Sequence, residues 1–245
     1  MERVGVDRSR AEKAVVQRAR SAEAKQQREA DILDAARALG DVRGIRSVTL
    51  TDIAEAVGMH KSALLRYFET REQIFLRLTA AGWREWGAAL RERLEGLGSA
   101  SDERASNGPS SLSFEVAAAF AETLAERPLF CDLLAQAPLN LERNVSLDSV
   151  LAFKLVTLDE VQGIDAALRR ILPSLTEEDA VDLVAAATSM SGAFWQMATP
   201  GPAIEALYRE DPRLVHAVVE VAPRVTRVLS ATIDGVLAAR ARHAR

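Results

Sequence analysis

The chain has 245 residues, 48% of them hydrophobic, and carries 31 Lys and Arg against 35 Asp and Glu for a formal net charge of −4. That is ample apolar material for one large domain or two unequal ones, and it argues against a disordered chain. No run of about 18 uncharged apolar residues occurs, and the Arg-rich first 30 residues lack the apolar core and small-residue cleavage site of a signal peptide, so neither a membrane span nor export is expected.

A single cysteine, Cys131, leaves no intramolecular disulfide and fits a reducing cytoplasm. Aromatics make up only 5%, and Val and Ile sit among Ala, Leu, Glu and Arg rather than in alternating runs, which points to an all-α protein. Charge is unevenly divided. Residues 1–77 hold 15 basic against 12 acidic side chains, net +3, and the remainder 16 against 23, net −7. The basic excess therefore lies in the N-terminal third, as contact with a polyanion requires.

Residues 1–28 mix Arg3, Arg8, Arg10, Lys13, Arg18, Arg20, Lys25 and Arg28 with almost no large apolar side chains and read as a basic arm, flexible or partly helical. From Ala22 the pattern turns amphipathic, with Ile32, Leu33, Ala36 and Leu39 on one face and Gly40 as the expected stop. A second helix opens at Thr49, where Thr49-Leu-Thr-Asp52 has capping-box spacing and Leu50, Ile53, Ala54 and Val57 form an apolar face. Gly58 breaks it, a short third helix carries Leu64, Leu65, Tyr67 and Phe68, and Thr70-Arg-Glu-Gln73 opens a long helix through Trp83 and Trp86 to Leu94.

Residues 98–110, GSASDERASNGPS, form the clearest breaker segment and predict a loop. Helices are then expected at roughly 111–126, 128–136, 146–171, 176–199, 203–209 and 212–242, three of the starts marked by Ser146, Thr176 with Asp179, and Asp211-Pro212. The domain reading is an arm at 1–28, a helix-turn-helix domain at 29–77 and a larger helical domain at 78–245.

The stretch TLTDIAEAVGMHKSALLRYF, residues 49–68, reads as two short helices joined by a tight turn at Val57-Gly58-Met59. Its second helix presents His60, Lys61, Ser62, Ala63 and Arg66, side chains small, polar or basic enough to enter a major groove about 12 Å wide. Together with Ile32-Leu-Asp-Ala-Ala-Arg-Ala-Leu39 and Arg71-Glu72, this stretch resembles the DNA-binding domain of the tetracycline-repressor family, with no gap between Thr49 and Phe68. Two positions depart from the family pattern: His60 stands where Ser or Thr is usual, and Leu65 where Tyr is frequent.

The resemblance implies that the third helix reads the major groove, and that Thr49, Thr51, Lys61, Tyr67 and Arg71 lie where phosphates are contacted. Lys61 and Arg66 are the candidates for affinity, because phosphate neutralisation dominates binding. His60 either contacts DNA or faces solvent, and Leu65 either meets a thymine methyl or packs inward. The arm arginines are either minor-groove contacts or part of a floppy tail.

The resemblance further implies a homodimer through helices 176–199 and 212–242, where Ala185-Ala-Ala187, Ser189, Ser191, Gly192 and Ala193 permit close approach and Val215 to Val236 make an apolar stripe. Phe114, Phe120, Phe130, Cys131, Phe153, Met190, Trp195 and Met197 would surround an effector cavity, each of them also a plausible core residue, for an apolar or amphipathic small molecule of unknown identity. The expected function is a repressor released from operator double-stranded DNA by that effector. No cofactor or metal is implied: His60, His216 and His243 are far apart, no metal-binding or phosphate-loop motif occurs, and no enzyme is expected. Cys131 lies in the apolar run Pro128–Leu134, where a buried thiol is the plainer reading than a redox sensor.

Overall fold

The computed structural model describes the backbone of residues 3–99, 109–217 and 219–243, and the side chains of 22–98, 112–214 and 219–243. Among the described residues there are helices and turns and no strand. Helix α1 runs Arg3–Arg43, so the basic arm is continuous with the first scaffold helix. Helices α2 (Leu50–Ala56) and α3 (Lys61–Leu64) follow, then the long α4 (Arg71–Ser99). The larger part comprises α5 (Pro109–Ala125), α6 (Pro128–Gln136), α7 (Leu147–Ile171), α8 (Glu177–Ala198), α9 (Pro202–Glu210) and α10 (Val221–His243). Most of the expected loop, residues 100–108, lies outside the described residues.

Two expected boundaries move, each for a local reason. Gly40 does not end α1. It lies within the helix where α6 crosses, and a Cβ there would stand 2.9 Å from Leu129 Cδ1. The chain leaves α1 at Gly44 instead, with φ at 72°, a conformation that costs glycine no side-chain clash. The helix expected from 212 begins at Val221, after a tight turn at Pro212–Ala217. Pro223 accounts for this: in a helix running from 212 its ring would clash with the carbonyl four residues back, whereas in the first turn its missing N–H needs no partner.

The start signals at Thr49 and Thr176 act as expected. Thr49 accepts from Asp52 N while Asp52 Oδ2 accepts from Thr49 N at 2.7 Å, and Thr176 and Asp179 repeat the arrangement at α8. At α4, Thr70 Oγ1 accepts from Gln73 N at 3.1 Å, but Gln73 Oε1 accepts from Glu69 N one residue further back, so the box is stretched. Each such cap stabilises its helix by about 1 kcal/mol.

One continuous core links the two parts. Ile32 and Ala36 of α1, Ile53 and Ala54 of α2, Leu64, Phe68, Ile74 and Phe75 close a small N-terminal core that runs along α4 into the larger bundle. There Trp86 is fully buried, its Nε1 donates to Thr123 Oγ1 at 3.0 Å, and Trp83, Phe120 and Phe130 stand around it with ring centroids 5.3 to 6.0 Å apart. Phe130 packs against Gly82, where a Cβ would come within 2.3 Å of the ring. Helix α5 packs on α10, α4 on α7, and α8 on both α6 and α10.

Candidate nucleic-acid interface

The interface is built by the turn between α2 and α3. Gly58, at φ 65°, lets Met59 N reach back to Ala54 O at 2.8 Å and reverses the chain within two residues. Leu64 and Phe68 face inward, so the intervening side chains face out: His60, Lys61, Ser62, Leu65 and Arg66 are exposed, and Ala63 and Tyr67 half-buried. Thr51 is exposed at the second position of α2.

Lys61 and Arg66 have no hydrogen-bond or ion-pair partner among the described residues, and neither does the Tyr67 hydroxyl. Leu65 is 44% exposed, which settles its alternatives in favour of an outward side chain. His60 is the N-cap residue of α3 but makes no side-chain cap bond, leaving its imidazole on the surface. Thr49 is exposed, yet its hydroxyl already donates to Asp52 Oδ2 at 2.6 Å.

Arg71 differs from the other candidates. Its guanidinium donates to the carbonyls of Val48 and Ile45, pairs with Glu72 at 3.0 Å and lies 4.6 Å over the Phe75 ring. It is a strut between α4 and the 45–48 turn and presents no free donor fork to a phosphate. The sequence reading overlooked two further residues that hold this head in place. Asp132 on α6, 7% exposed, accepts from Ile45 N and from Gln196 Nε2, both at 2.8 Å, tying the turn before α2 to α6 and α8. Glu69 Oε1 accepts from Ser146 N, Ser146 Oγ and Ser149 Oγ, each at 2.9 Å, so the end of the head caps α7; those hydrogen bonds hold its carboxyl below the usual range. A charged residue inside the apolar run Pro128–Leu134 was the available signal for Asp132.

The effector candidates do not converge. Phe120, Phe130 and Cys131 are core, Phe114 and Met197 are more than half exposed, and Met190 packs partly buried beside Val221 and Val225. The Cys131 thiol donates to Leu124 O, and burial, with Asp132 beside it, pushes its pKa up to about 12, so it is no thiolate sensor. Three candidates do line cavities, Phe130 a small one of about 210 Å³ beside Gly82. Trp195 borders one of about 500 Å³ between the end of α1 and α6 and α8, which Asp132 also lines. Phe153 borders another of about 530 Å³ between α4 and α7.

A model of bacterial regulatory proteins of the tetR family matches residues 32–78, and a model of the tetracyclin repressor-like C-terminal domain matches residues 80–240. The chain belongs to the tetracycline-repressor family. It is thus a DNA-binding transcriptional regulator, and the two matches meet within the first third of α4, the helix that joins the head to the bundle. Several solved structures are similar over most of the chain. PfmR, a TetR family transcriptional regulator from Thermus thermophilus, is 20% identical over 84% of this chain and 96% of its own, with a TM-score of 0.48. A bacterial regulatory protein in the tetR family from Rhodococcus RHA1 is 14% identical over 83% and 95%, at 0.49, and AmtR of Mycobacterium smegmatis 18% over 83% and 92%, at 0.41. The assignment rests on the family models, since these scores add little to it. No curated protein matches the chain.

Proposed function

We propose that the regulator is a homodimeric repressor, released from a pseudo-palindromic operator when a small effector occupies the bundle after α3. The observation that carries the DNA-reading part is the surface of α2 and α3, where Thr51, His60, Lys61, Ser62, Leu65 and Arg66 are exposed and both cations lack protein partners among the described residues. Lys61 and Arg66 neutralise phosphates, Tyr67 offers its free hydroxyl to another, and the short polar side chains and Leu65 meet base edges. Two such heads on a two-fold axis would sit on half-sites one turn apart, about 34 Å.

The dimer reading is supported by the outward faces of α8 and α10. Along α8 run Val181, Ala185, Ser189, Ala193 and Met197, all exposed; along α10, Val228, Ala231, Thr232 and Gly235. Small residues with apolar ends allow helices of two subunits to approach closely. A specific observation favours a second surface: Leu147, Leu151, Leu155 and Leu158 form an exposed stripe on one face of α7. Sedimentation of Val228→Glu and Leu151→Glu decides between them, since only the variant on the true interface becomes monomeric.

An effector acts only through its preference for one arrangement of the two heads, and a coupling of about 1 to 3 kcal/mol would change operator affinity roughly 5- to 150-fold. The test is selection of genomic fragments by mobility shift, then measurement on the best one. Lys61→Ala should weaken all duplexes alike and flatten the salt slope by about one unit. Failure to select any fragment over random duplex would refute the regulator reading.

A further inference from the structure

Arg77, Arg84 and Arg91 are spaced seven residues apart on α4 and fall along one side of that helix, facing α7. The third is satisfied: Arg91 Nη1 donates to Glu160 Oε2 at 2.7 Å, and Gly87 and Gly163 make room for the pair. The first two have no ion-pair or hydrogen-bond partner among the described residues. Between them and α7 lies the cavity of about 530 Å³, in the size range that takes small molecules. Leu76, Ala80, Ala152, Phe153 and Val156 give it an apolar wall, and Gln73, Ser146 and Ser149 close its end beside the head. The only acidic side chain lining it is Asp148, which stands too far from either arginine for an ion pair, so the lining carries an excess of one positive charge.

Resting on the effector reading above, we infer that this cleft is the effector site and that its ligand is a small amphipathic carboxylate, with its anionic end on Arg77 and Arg84 and its apolar body against Leu76, Phe153 and Val156. The chemistry repeats what Glu160 does for Arg91, with the missing carboxylate supplied from solution. Guanidinium groups suit a carboxylate because their donor forks match its two oxygens. The cleft also abuts a direct stitch between the end of the head and α7: Ser149 Oγ, which lines it, donates to Glu69 Oε1 and accepts from Gln73 Nε2 at 2.9 Å. A ligand whose carboxylate is on Arg77 and Arg84 fills the cleft that Ser146 and Ser149 line, and so presses on the two hydroxyls that hold Glu69, which directly follows Phe68 of the head. Ligand binding and release of the head are thereby linked, and by reciprocity operator binding would weaken the ligand.

The test is calorimetric titration of the full chain with decanoate and with 1-naphthylacetate, each against its uncharged primary amide. Saturable binding of a carboxylate, at least about tenfold tighter than its amide, is expected. The double substitution Arg77→Ala with Arg84→Ala should erase that preference, and Phe153→Ala should weaken acid and amide alike. Binding of no carboxylate, or binding indifferent to the double substitution, would overturn the site while leaving operator selection untouched. If instead the double variant loses operator affinity and salt slope with no ligand present, the arginines serve phosphates and the inference falls. Absence of operator binding by the unaltered protein sinks the regulator reading, whereas the titration still decides the site.

Discussion

Replacing Asp132 tests whether the head is held by one buried carboxylate. The group is 7% exposed and accepts from Ile45 N on one side and Gln196 Nε2 on the other, both at 2.8 Å. In Asp132→Ala the two donors fare differently. Ile45 is 1% exposed, so its N–H keeps little access to water, while Gln196 is only half-buried and can turn to solvent. Leaving a buried donor unmade costs about 1 to 3 kcal/mol. Part of this is offset because the adjoining cavity of about 500 Å³ can admit a water and because an unpaired buried charge has been removed. The expected loss is about 2 kcal/mol for Asp132→Ala. Asp132→Asn should cost about 1 kcal/mol, since an amide oxygen serves one donor while its NH₂ opposes the other, and Gln196→Ala less than either. Hydrogen exchange at the Ile45 amide is the direct assay, with protection expected to fall about tenfold or more in the alanine variant while the Trp86 region keeps its own. Unchanged Ile45 protection, or an asparagine variant as stable as the parent, would refute the reasoning.

Two further outcomes follow from titrating groups. Arg240 Nη2 and Nε hold Asp179 at 2.8 Å and, with the Thr176 cap, keep its pKa at about 2. The folded pKa lies below the ordinary value of 3.8, so this stabilisation is full above about pH 4 and fades as pH falls toward 2. Arg240→Ala should therefore lower stability at neutral pH and much less at pH 2; an equal loss at both would dismiss the pair. Cys131, fully buried with its thiol pushed to about 12, should react with a disulfide reagent at neutral pH only at the rate of unfolding, and fast labelling of the native protein would reopen a redox role.

Local signals in the sequence determined the element types and most of their starts. Thr49 with Asp52, Thr176 with Asp179, Ser146 and Gly58 act through bonds spanning a few residues, so their effect is written in the order of the chain. The outward set on α3 was legible for the same reason: once Leu64 and Phe68 face inward, helical geometry sends Lys61, Ser62, Leu65 and Arg66 outward. What the tertiary structure decided were the events between distant segments. Gly40 looked like a helix stop and is a crossing point for Leu129, 89 residues later. Arg71 had the type and place of a phosphate contact, and two backbone carbonyls of a neighbouring turn claimed it. Asp132 became the anchor of the head and Phe130 a packing partner of Gly82, while Arg77 and Arg84 were left without the carboxylate that Arg91 found in Glu160. Which polar group meets which partner across a core depends on how helices dock, and that docking is set by the sum of many weak apolar contacts rather than by any single spacing in the chain.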